Sequence, residues 1–199
     1  MNESDTRRGE ERRGTLARPR IAACRTEDVA LLDARSPSGA ATSFHARRFA
    51  RQCAGGSTYL LAWIDGAPVG NGEVRWDGCA APEVREALGD CPEINGLDVV
   101  AELRGRGIGT ALIRHAEALA VRRGTARIGL GVDETGNPGA ARLYARLGYR
   151  PTVRYLDRWS YVDHEGTEHR QADPTVFLVK ELDGRGDRAV PPGRGRPRG

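Results

Sequence analysis

Hydrophobic and polar residues alternate along the middle of the chain with two periods, one typical of β-strands and one typical of α-helices. Runs rich in β-branched and aromatic residues predict strands, and Asp65-Gly66 between two of them favours a tight hairpin turn. These strands are predicted at residues 21–24, 59–64, 69–76, 93–100, 128–132, 149–162 and 175–182. The last two are expected to be joined by a polar loop that contains residues 163–166.

Helical spacing occupies the segments between these strands. Thr26 and Asp28 are suited to cap a first helix. In the second helix, Phe44, Phe49 and Cys53 are predicted to share one face. Helices are predicted from Thr26 onward, at 43–53, near 83–88 as a short turn, from Gly107 to Gly124, and from Asn137 to Gly148.

The strand at 128–132 has one unusual face. Its apolar residues alternate with Gly129 and Gly131, so one face is predicted to be buried and the other to be nearly free of side chains. Either a ligand approaches this bare face closely or the glycines allow a bulge.

The composition is that of a soluble globular protein, with 39% hydrophobic and 29% charged residues in a chain of 199. One domain is predicted at 20–182, flanked by Arg-rich tails at 1–19 and 183–199 that bury too little apolar surface to fold. No apolar run approaches the ~18 residues of a membrane-spanning helix, and the N-terminus lacks the apolar stretch of a secretory signal. A cytoplasmic protein without membrane contact is therefore expected.

The formal charge of +4 raises the question of a nucleic-acid partner. Residues 1–20 carry six Arg and four acids, and residues 183–199 carry five Arg and two acids, so that the tails hold +5 and the middle −1. This distribution favours solvated tails over a basic binding face. A nucleic-acid binder would instead lose its affinity when the tails are deleted.

Cysteine and histidine spacing indicates neither a metal site nor a disulfide scaffold. Cys24, Cys53, Cys79 and Cys91 form no C-x-x-C pair, and the four histidines are scattered. Reduced thiols and no bound metal are expected.

The segment Arg104-Gly105-Arg106-Gly107-Ile108-Gly109 joins a predicted strand to a predicted helix. A helix start leaves backbone N–H groups unpaired at the positive end of the helix dipole. Glycines allow this backbone to approach an anion, and two arginines add positive charge, so the segment favours a pyrophosphate. A tight turn packed on the sheet would also explain the glycines.

Two other phosphate-binding loops do not fit this segment. The dinucleotide fingerprint requires G-x-G-x-x-G, and the spacing to the third glycine is wrong here. The nucleoside triphosphate loop requires Gly-Lys-Ser or Gly-Lys-Thr, whereas Lys180 is the only lysine of the chain.

Two segments together resemble the GCN5-related N-acetyltransferases (GNAT). Residues 97–112 resemble the cofactor motif of that family, in which Arg or Gln is followed by two residues, Gly, any residue, and Gly or Ala. Residues 137–149 resemble its second motif. The resemblance implies a mixed α/β fold with a central, mostly antiparallel sheet of six to seven strands, a splayed parallel strand pair and about four flanking helices.

The resemblance further implies acetyl-CoA as the cosubstrate, without a metal. The strand before the loop would hydrogen-bond the pantetheine arm through Leu97, Val99 and Val100, and the bare glycine face would adjoin this arm. Asn137 would cap its helix and touch the cofactor. The loop positions implied to bind the pyrophosphate are Arg104, Gly105, Arg106, Gly107, Ile108, Gly109 and Thr110.

Acetyl transfer requires a base, because an amine with a pKa near ~10 is mostly protonated at neutral pH. Glu93 stands where histone-type members of the family carry their base, and Glu73 on the neighbouring strand is the alternative. Tyr144 occupies the family position of the acid that protonates the departing thiolate. Each residue also has a structural interpretation, as a solvated strand residue or a core aromatic.

The motifs do not specify the acceptor. We expect a primary amine on a small molecule that attacks directly in a ternary complex, with small amines, aminoglycoside-like antibiotics, amino acids and also protein N-termini left open as acceptors. The family implies a homodimer. Selection of the acceptor is expected from segment 43–53, from Trp63 and Trp76, and from the last hairpin with Arg158 and Trp159. The alternative is a non-catalytic acyl-CoA sensor or interaction module of the same fold.

Overall fold

The structure, a computed structural model, describes residues 17–35, 43–133, 135–162 and 166–182. Of the predicted tails, residues 1–16 and 183–199 lie outside these ranges, as do residues 163–165 of the predicted loop. The strands are β1 (Arg20–Ala23), β2 (Ser57–Ile64), β3 (Ala67–Arg75), β4 (Glu93–Val99), β5 (Arg127–Asp133), β6 (Arg150–Val162) and β7 (Glu168–Glu181). The helices are α1 (Thr26–Arg35), α2 (Phe44–Cys53), α3 (Pro82–Leu88), α4 (Ile108–Arg122) and α5 (Pro138–Arg146), with a 3₁₀ turn at Ala101–Leu103.

Within the described ranges, the strands form one sheet in the order β1-β2-β3-β4-β5-β7-β6. Neighbouring strands are antiparallel except for β4 and β5, which are parallel and share a single register pair, Glu93 with Gly129. The Gly129 N–H donates to the Pro92 carbonyl at 2.8 Å, and beyond this point the two strands separate. The predicted mixed α/β fold, with a mostly antiparallel sheet and a splayed parallel pair, is confirmed.

Local signals account for most element boundaries. Asp65 and Gly66 adopt positive φ angles of 48° and 76°, which is the geometry of a two-residue hairpin turn between β2 and β3. The Asn137 side chain accepts a hydrogen bond from the Ala140 N–H at 3.0 Å and caps α5 as predicted. Gly124 and Gly148 follow α4 and α5 with positive φ, as expected for helix ends.

The sheet separates cores on its two faces. One face packs against α4 and α5 and contains the largest apolar cluster, including Leu60, Val74, Ile94, Ile108, Leu112, Ile128, Leu130 and Tyr144. The opposite face carries two smaller clusters, one beneath α1 and α2 and one beneath α3. They include Cys24, Leu32, Tyr59 and Leu61 in the first, and Val84, Leu88, Tyr155 and Phe177 in the second.

The buried face of α2 differs from the prediction. Phe44 is 39% exposed and Cys53 is exposed, whereas His45 and Arg48 are buried. The His45 Nδ1 lies 2.6 Å from the Tyr59 hydroxyl of β2. Of the three predicted residues, Phe49 alone packs against the core, and polar side chains with partners on the sheet make up the rest of the buried face of α2.

Strand β7 begins at Glu168, seven residues before the predicted start at Thr175. Its first half pairs with β6 alone, from Glu168 opposite Val162 to Pro174 opposite Leu156. Only residues from Thr175 onward also pair with β5. The early part has few apolar residues because it is a two-stranded hairpin extending beyond the sheet.

None of the described helices is long and apolar enough to cross a membrane. Among the described residues, no group of three or more potential ligands could hold a metal ion. The four cysteines are free thiols.

Candidate functional site

A cavity of about 550 Å³ opens between the glycine loop, the end of β4 and α5. It lies on the α4 and α5 face of the sheet, where β4 and β5 separate. Ten of the twelve predicted cofactor positions line it, Val100 and Arg106 being the exceptions. The lining residues are Leu97, Asp98, Val99, Leu103, Arg104, Gly105, Gly107, Ile108, Gly109, Thr110, Asn137, Gly139, Ala140, Leu143, Tyr144 and Arg146.

The glycine loop presents open backbone to this cavity. Gly105 and Gly107 have φ angles of 75° and 84°, which favour glycine, and no heavy atom lies within 4 Å of where their Cβ atoms would stand. Gly107 caps α4 without any side-chain hydrogen bond. The first-turn N–H groups of α4 therefore remain available for an anion at the positive end of the helix.

Arg104 lies back along β4 instead of extending over the loop. Its Nε donates to the Val99 carbonyl at 2.9 Å, and its Nη2 lies 3.2 Å from the Asp98 carboxylate. Part of its charge is thus balanced by Asp98.

Val100 departs from its predicted role. Its N–H donates to the Val69 carbonyl of β3 at 3.0 Å, and its carbonyl accepts from the Leu103 N–H at 2.9 Å. Both backbone groups are hydrogen-bonded within the protein and Val100 does not line the cavity, which argues against the predicted hydrogen bond between Val100 and the pantetheine arm. Leu97 and Val99 do line the cavity.

Tyr144 reaches the cavity from α5 and is 7% exposed. Burial raises the pKa of its hydroxyl, so the group stays protonated through the neutral range. Among the residues that the structure describes, this hydroxyl makes no hydrogen bond. A residue that lines the cavity thus carries a protonated donor without a protein acceptor among the described residues.

Glu93 does not line the cavity and lies on the opposite face of the sheet, only 3% exposed. The Arg75 Nη1 is 3.5 Å from its Oε2, and the Asn95 Nδ2 donates to its Oε1 at 3.3 Å. Burial raises the pKa of Glu93, and the nearby Arg75 charge and Asn95 hydrogen bond partly oppose this. A carboxylate in this environment accepts a proton more readily than a solvated one.

Glu73, the alternative base, is surrounded by cations. Its carboxylate is 1% exposed and lies 3.3 Å from the Arg51 Nε, 3.4 Å from the Arg75 Nε and 3.8 Å from the Arg48 Nε. Three guanidinium groups oppose the approach of a protonated amine. This arrangement indicates a structural role for Glu73.

The bare face of β5 is filled by the protein itself. A Cβ at Gly129 would collide with the ring of Phe177, and a Cβ at Gly131 would lie 2.7 Å from the Tyr155 hydroxyl. The β5–β7 register is continuous, so no bulge is present there either. The prediction that this face adjoins the pantetheine arm and the alternative of a bulge are both wrong, because the glycines make room for aromatic side chains of β6 and β7.

The structure adds residues that motif reasoning missed. Ala140 lies three positions before Leu143 and four before Tyr144, so helical spacing alone could have placed it beside both. Arg146, in the last turn of α5, lies three positions after Leu143 and is placed on the same face by the same spacing.

The aromatics expected to select the acceptor differ in environment. The Trp76 ring lies 4.1 Å from the Arg123 guanidinium carbon and its Nε1 donates to Thr58, so it has a structural role. Trp159 is 46% exposed on the outer hairpin, where its Nε1 donates to Asp173 at 2.7 Å.

Comparison with known proteins gives a consistent result. The model of the acetyltransferase (GNAT) family matches residues 26–149. An uncharacterized N-acetyltransferase of Methanocaldococcus jannaschii is 36% identical over 91 residues, which are 46% of this chain. The match spans 38% of the length of that relative.

Solved structures share the fold at low sequence identity. The ribosomal-protein-S18-alanine N-acetyltransferase from Escherichia coli has a TM-score of 0.57 and 17% identity, covering 86% of this chain and 99% of its own. A GNAT family acetyltransferase from Elizabethkingia anophelis with acetyl-CoA bound has a TM-score of 0.52 and 17% identity, covering 83% and 99%.

Proposed function

The chain belongs to the acetyltransferase (GNAT) family, and we propose that it transfers an acetyl group from acetyl-CoA to a primary amine on a small molecule. The amine attacks directly while both substrates are bound. The observation that carries this proposal is the single cavity lined by the open backbone of Gly105 and Gly107, by the end of β4 and by Tyr144.

The residues of this cavity fit acetyl-CoA. The uncapped N–H groups at the start of α4 would hold its pyrophosphate, and the backbone of Leu97 and Val99 would hydrogen-bond the pantetheine arm. Bound there, acetyl-CoA supplies an acyl group activated as a thioester. The structural relative from Elizabethkingia anophelis, crystallised with acetyl-CoA, supports the same ligand for this fold.

Glu93 is the base of this proposal. It stands at the register pair with Gly129, where the splay between β4 and β5 closes. Its side chain lies on the face opposite the cavity, which supports entry of the amine from that face. Glu93 takes a proton from the amine directly or through one water, and its raised pKa favours this transfer.

Tyr144 acts on the leaving group. An ordinary tyrosine has a pKa of about 10 and an alkyl thiol about 8.5, and burial raises the Tyr144 pKa further. Complete proton transfer from tyrosine to the thiolate is therefore uphill. Donation of a hydrogen bond to the sulfur as its negative charge develops is the contribution that this environment supports.

Release of free thiol from acetyl-CoA in the presence of a panel of primary amines tests the proposal. Thiol release that exceeds the amine-free rate and saturates with at least one amine is the expected result. Saturable acetyl-CoA binding without amine-dependent release on any member of the panel would instead support the acyl-CoA sensor.

A further inference from the structure

Strand β4 contains an extra residue immediately before the part of the strand that lines the cavity. Asn95 pairs with Glu73 and Asp98 pairs with Asn71, so three steps along β4 correspond to two along β3. Gly96, inside this bulge, has a φ of +55°.

The bulge reverses the direction of the backbone groups that follow it. The Pro92 carbonyl accepts from Gly129 on the β5 side, whereas the Val100 N–H donates to Val69 on the β3 side. In an uninterrupted strand, groups eight residues apart would point to the same side. Because of the extra residue, Leu97 and Val99 rather than Gly96 and Asp98 present their backbone groups to the splay.

We propose that Arg48 of α2 is a positioning residue for the acyl donor, which it serves by fixing the β4 bulge from the face opposite the cavity. This inference rests on the proposed binding of acetyl-CoA along Leu97 and Val99. Arg48 does not line the cavity and acts through the backbone of β4.

The guanidinium of Arg48 contacts both sides of the bulge. Its Nη1 donates to the Gly96 carbonyl at 3.1 Å and to the Asn71 Oδ1 at 3.2 Å. Its Nε lies 3.8 Å from the Glu73 carboxylate. Asn71 and Glu73 are the β3 residues on either side of the register shift, so one planar group connects all three positions.

Gly96 and Arg48 fit together in a way that excludes other residues. A Cβ on Gly96 would collide with the Arg48 guanidinium, so a side chain there would displace the arginine. The arginine side chain is only 7% exposed and packs on the Phe44 ring, 4.1 Å from its centroid. Burying a charge here costs free energy that an apolar residue would not, which favours a specific role over simple core filling.

The role is tested by comparing the affinities for two ligands, only one of which extends along β4. The wild type and Arg48→Met are titrated with acetyl-CoA and with 3′-phosphoadenosine 5′-diphosphate, the nucleotide part of coenzyme A that reaches the glycine loop but not β4. We expect Arg48→Met to weaken acetyl-CoA about tenfold, equivalent to one lost backbone hydrogen bond, and to bind the nucleotide within about twofold of the wild type.

Gly96→Ala disrupts the same contact from the β4 side. It should likewise weaken acetyl-CoA and leave nucleotide affinity nearly unchanged. Arg48→Lys keeps the charge beside Glu73 but not the planar fork, and should restore part of the affinity. Arg51→Met is the matched control, because it removes another partner of Glu73 without touching the bulge.

The role of Arg48 is overturned if acetyl-CoA affinity is unchanged both in Gly96→Ala and in an Arg48 variant that still binds the nucleotide. That result leaves the proposed function intact. Equal weakening of both ligands also overturns it, since that is the effect of a general structural loss. A wild type that binds the nucleotide but not acetyl-CoA overturns the proposed function itself.

Discussion

Glu93 and Gly129 form the single register pair between β4 and β5. On one side of this pair the sheet is closed by the hydrogen bond from Gly129 to Pro92, and on the other side the strands diverge toward the cavity. A buried carboxylate thus stands at the point where the two strands begin to separate, which supports its proposed role in proton transfer.

Replacement of Glu93 by Gln is expected to lower kcat by about 10²- to 10⁴-fold, the usual range for a general base. Burial raises the Glu93 pKa, so the low-pH limb of the wild-type rate should lie above the ordinary glutamate value of about 4.3, with the rate rising as pH rises. Thiol release measured across that range should lose this limb in Glu93→Gln. The exposed Glu83→Gln is the control, and an unaltered limb in Glu93→Gln would remove Glu93 as the base.

The Tyr144→Phe variant should lose about 10- to 100-fold in kcat, because one hydrogen bond to a charged group is lost. Its acetyl-CoA affinity, measured by calorimetry, should stay within about twofold of the wild type. Tyr149→Phe removes the hydroxyl of a ring 6.3 Å away, outside the cavity, and should retain kcat. Equal losses in both variants would indicate a packing effect.

Gly107→Ala should reduce both stability and cofactor affinity. A φ of 84° costs a residue with a Cβ about 1–2 kcal/mol, and a shift of the loop to relieve it moves the N–H groups of α4. Gly124→Ala imposes a similar strain, at 77°, on the other end of the same helix. Urea unfolding should show a comparable loss for both, whereas acetyl-CoA affinity should fall only for Gly107→Ala.

Gly129→Ala should destabilise the protein by about 1–3 kcal/mol, because the new methyl group overpacks against Phe177. Phe177→Leu removes the ring atoms involved, and in the double variant the two losses should be less than additive. The coupling is measured by urea unfolding of all four proteins. Strict additivity would contradict the proposed collision.

His45 should make stability depend on pH. Burial lowers its pKa, so the unfolded chain binds a proton at higher pH than the folded protein does. The stabilisation is fully present above the unfolded pKa of about 6.5 and is lost as pH falls, with a slope of at most about 1.4 kcal/mol per pH unit. His45→Gln should flatten this slope in denaturant unfolding. Burial also lowers the pKa of His115, so part of the slope should remain.

Much of the architecture could be predicted from sequence because its signals are local. The Asp65-Gly66 turn, the Asn137 cap and the glycine loop each depend on residues next to one another in the chain. The position of the cavity could be predicted from the same local signals, because a glycine loop at a helix start exposes backbone N–H groups without contributions from distant segments.

The errors concern contacts between distant segments. Phe177 fills the space beside Gly129 from 48 positions away, and Arg48 reaches Gly96 across another 48. The burial of His45 on α2 likewise involves a contact with Tyr59, which is 14 positions away. The Val100 N–H donates to the Val69 carbonyl instead of facing the cavity. The bulge in β4 makes this hydrogen bond possible, and residue spacing does not reveal it.

The extra residue in β4 also limits how this segment can change in length. Leu97 packs in the main core, whereas the Asp98 side chain is 64% exposed. Deletion of Gly96 would remove the bulge and restore regular alternation from the inward Ile94, with Leu97 still inward and Asp98 still outward. Loss of one codon after the bulge would instead turn every following residue up to the glycine loop to the opposite face. The facing of this stretch therefore survives a one-residue deletion only inside the bulge, where the deletion removes the contact between Gly96 and Arg48.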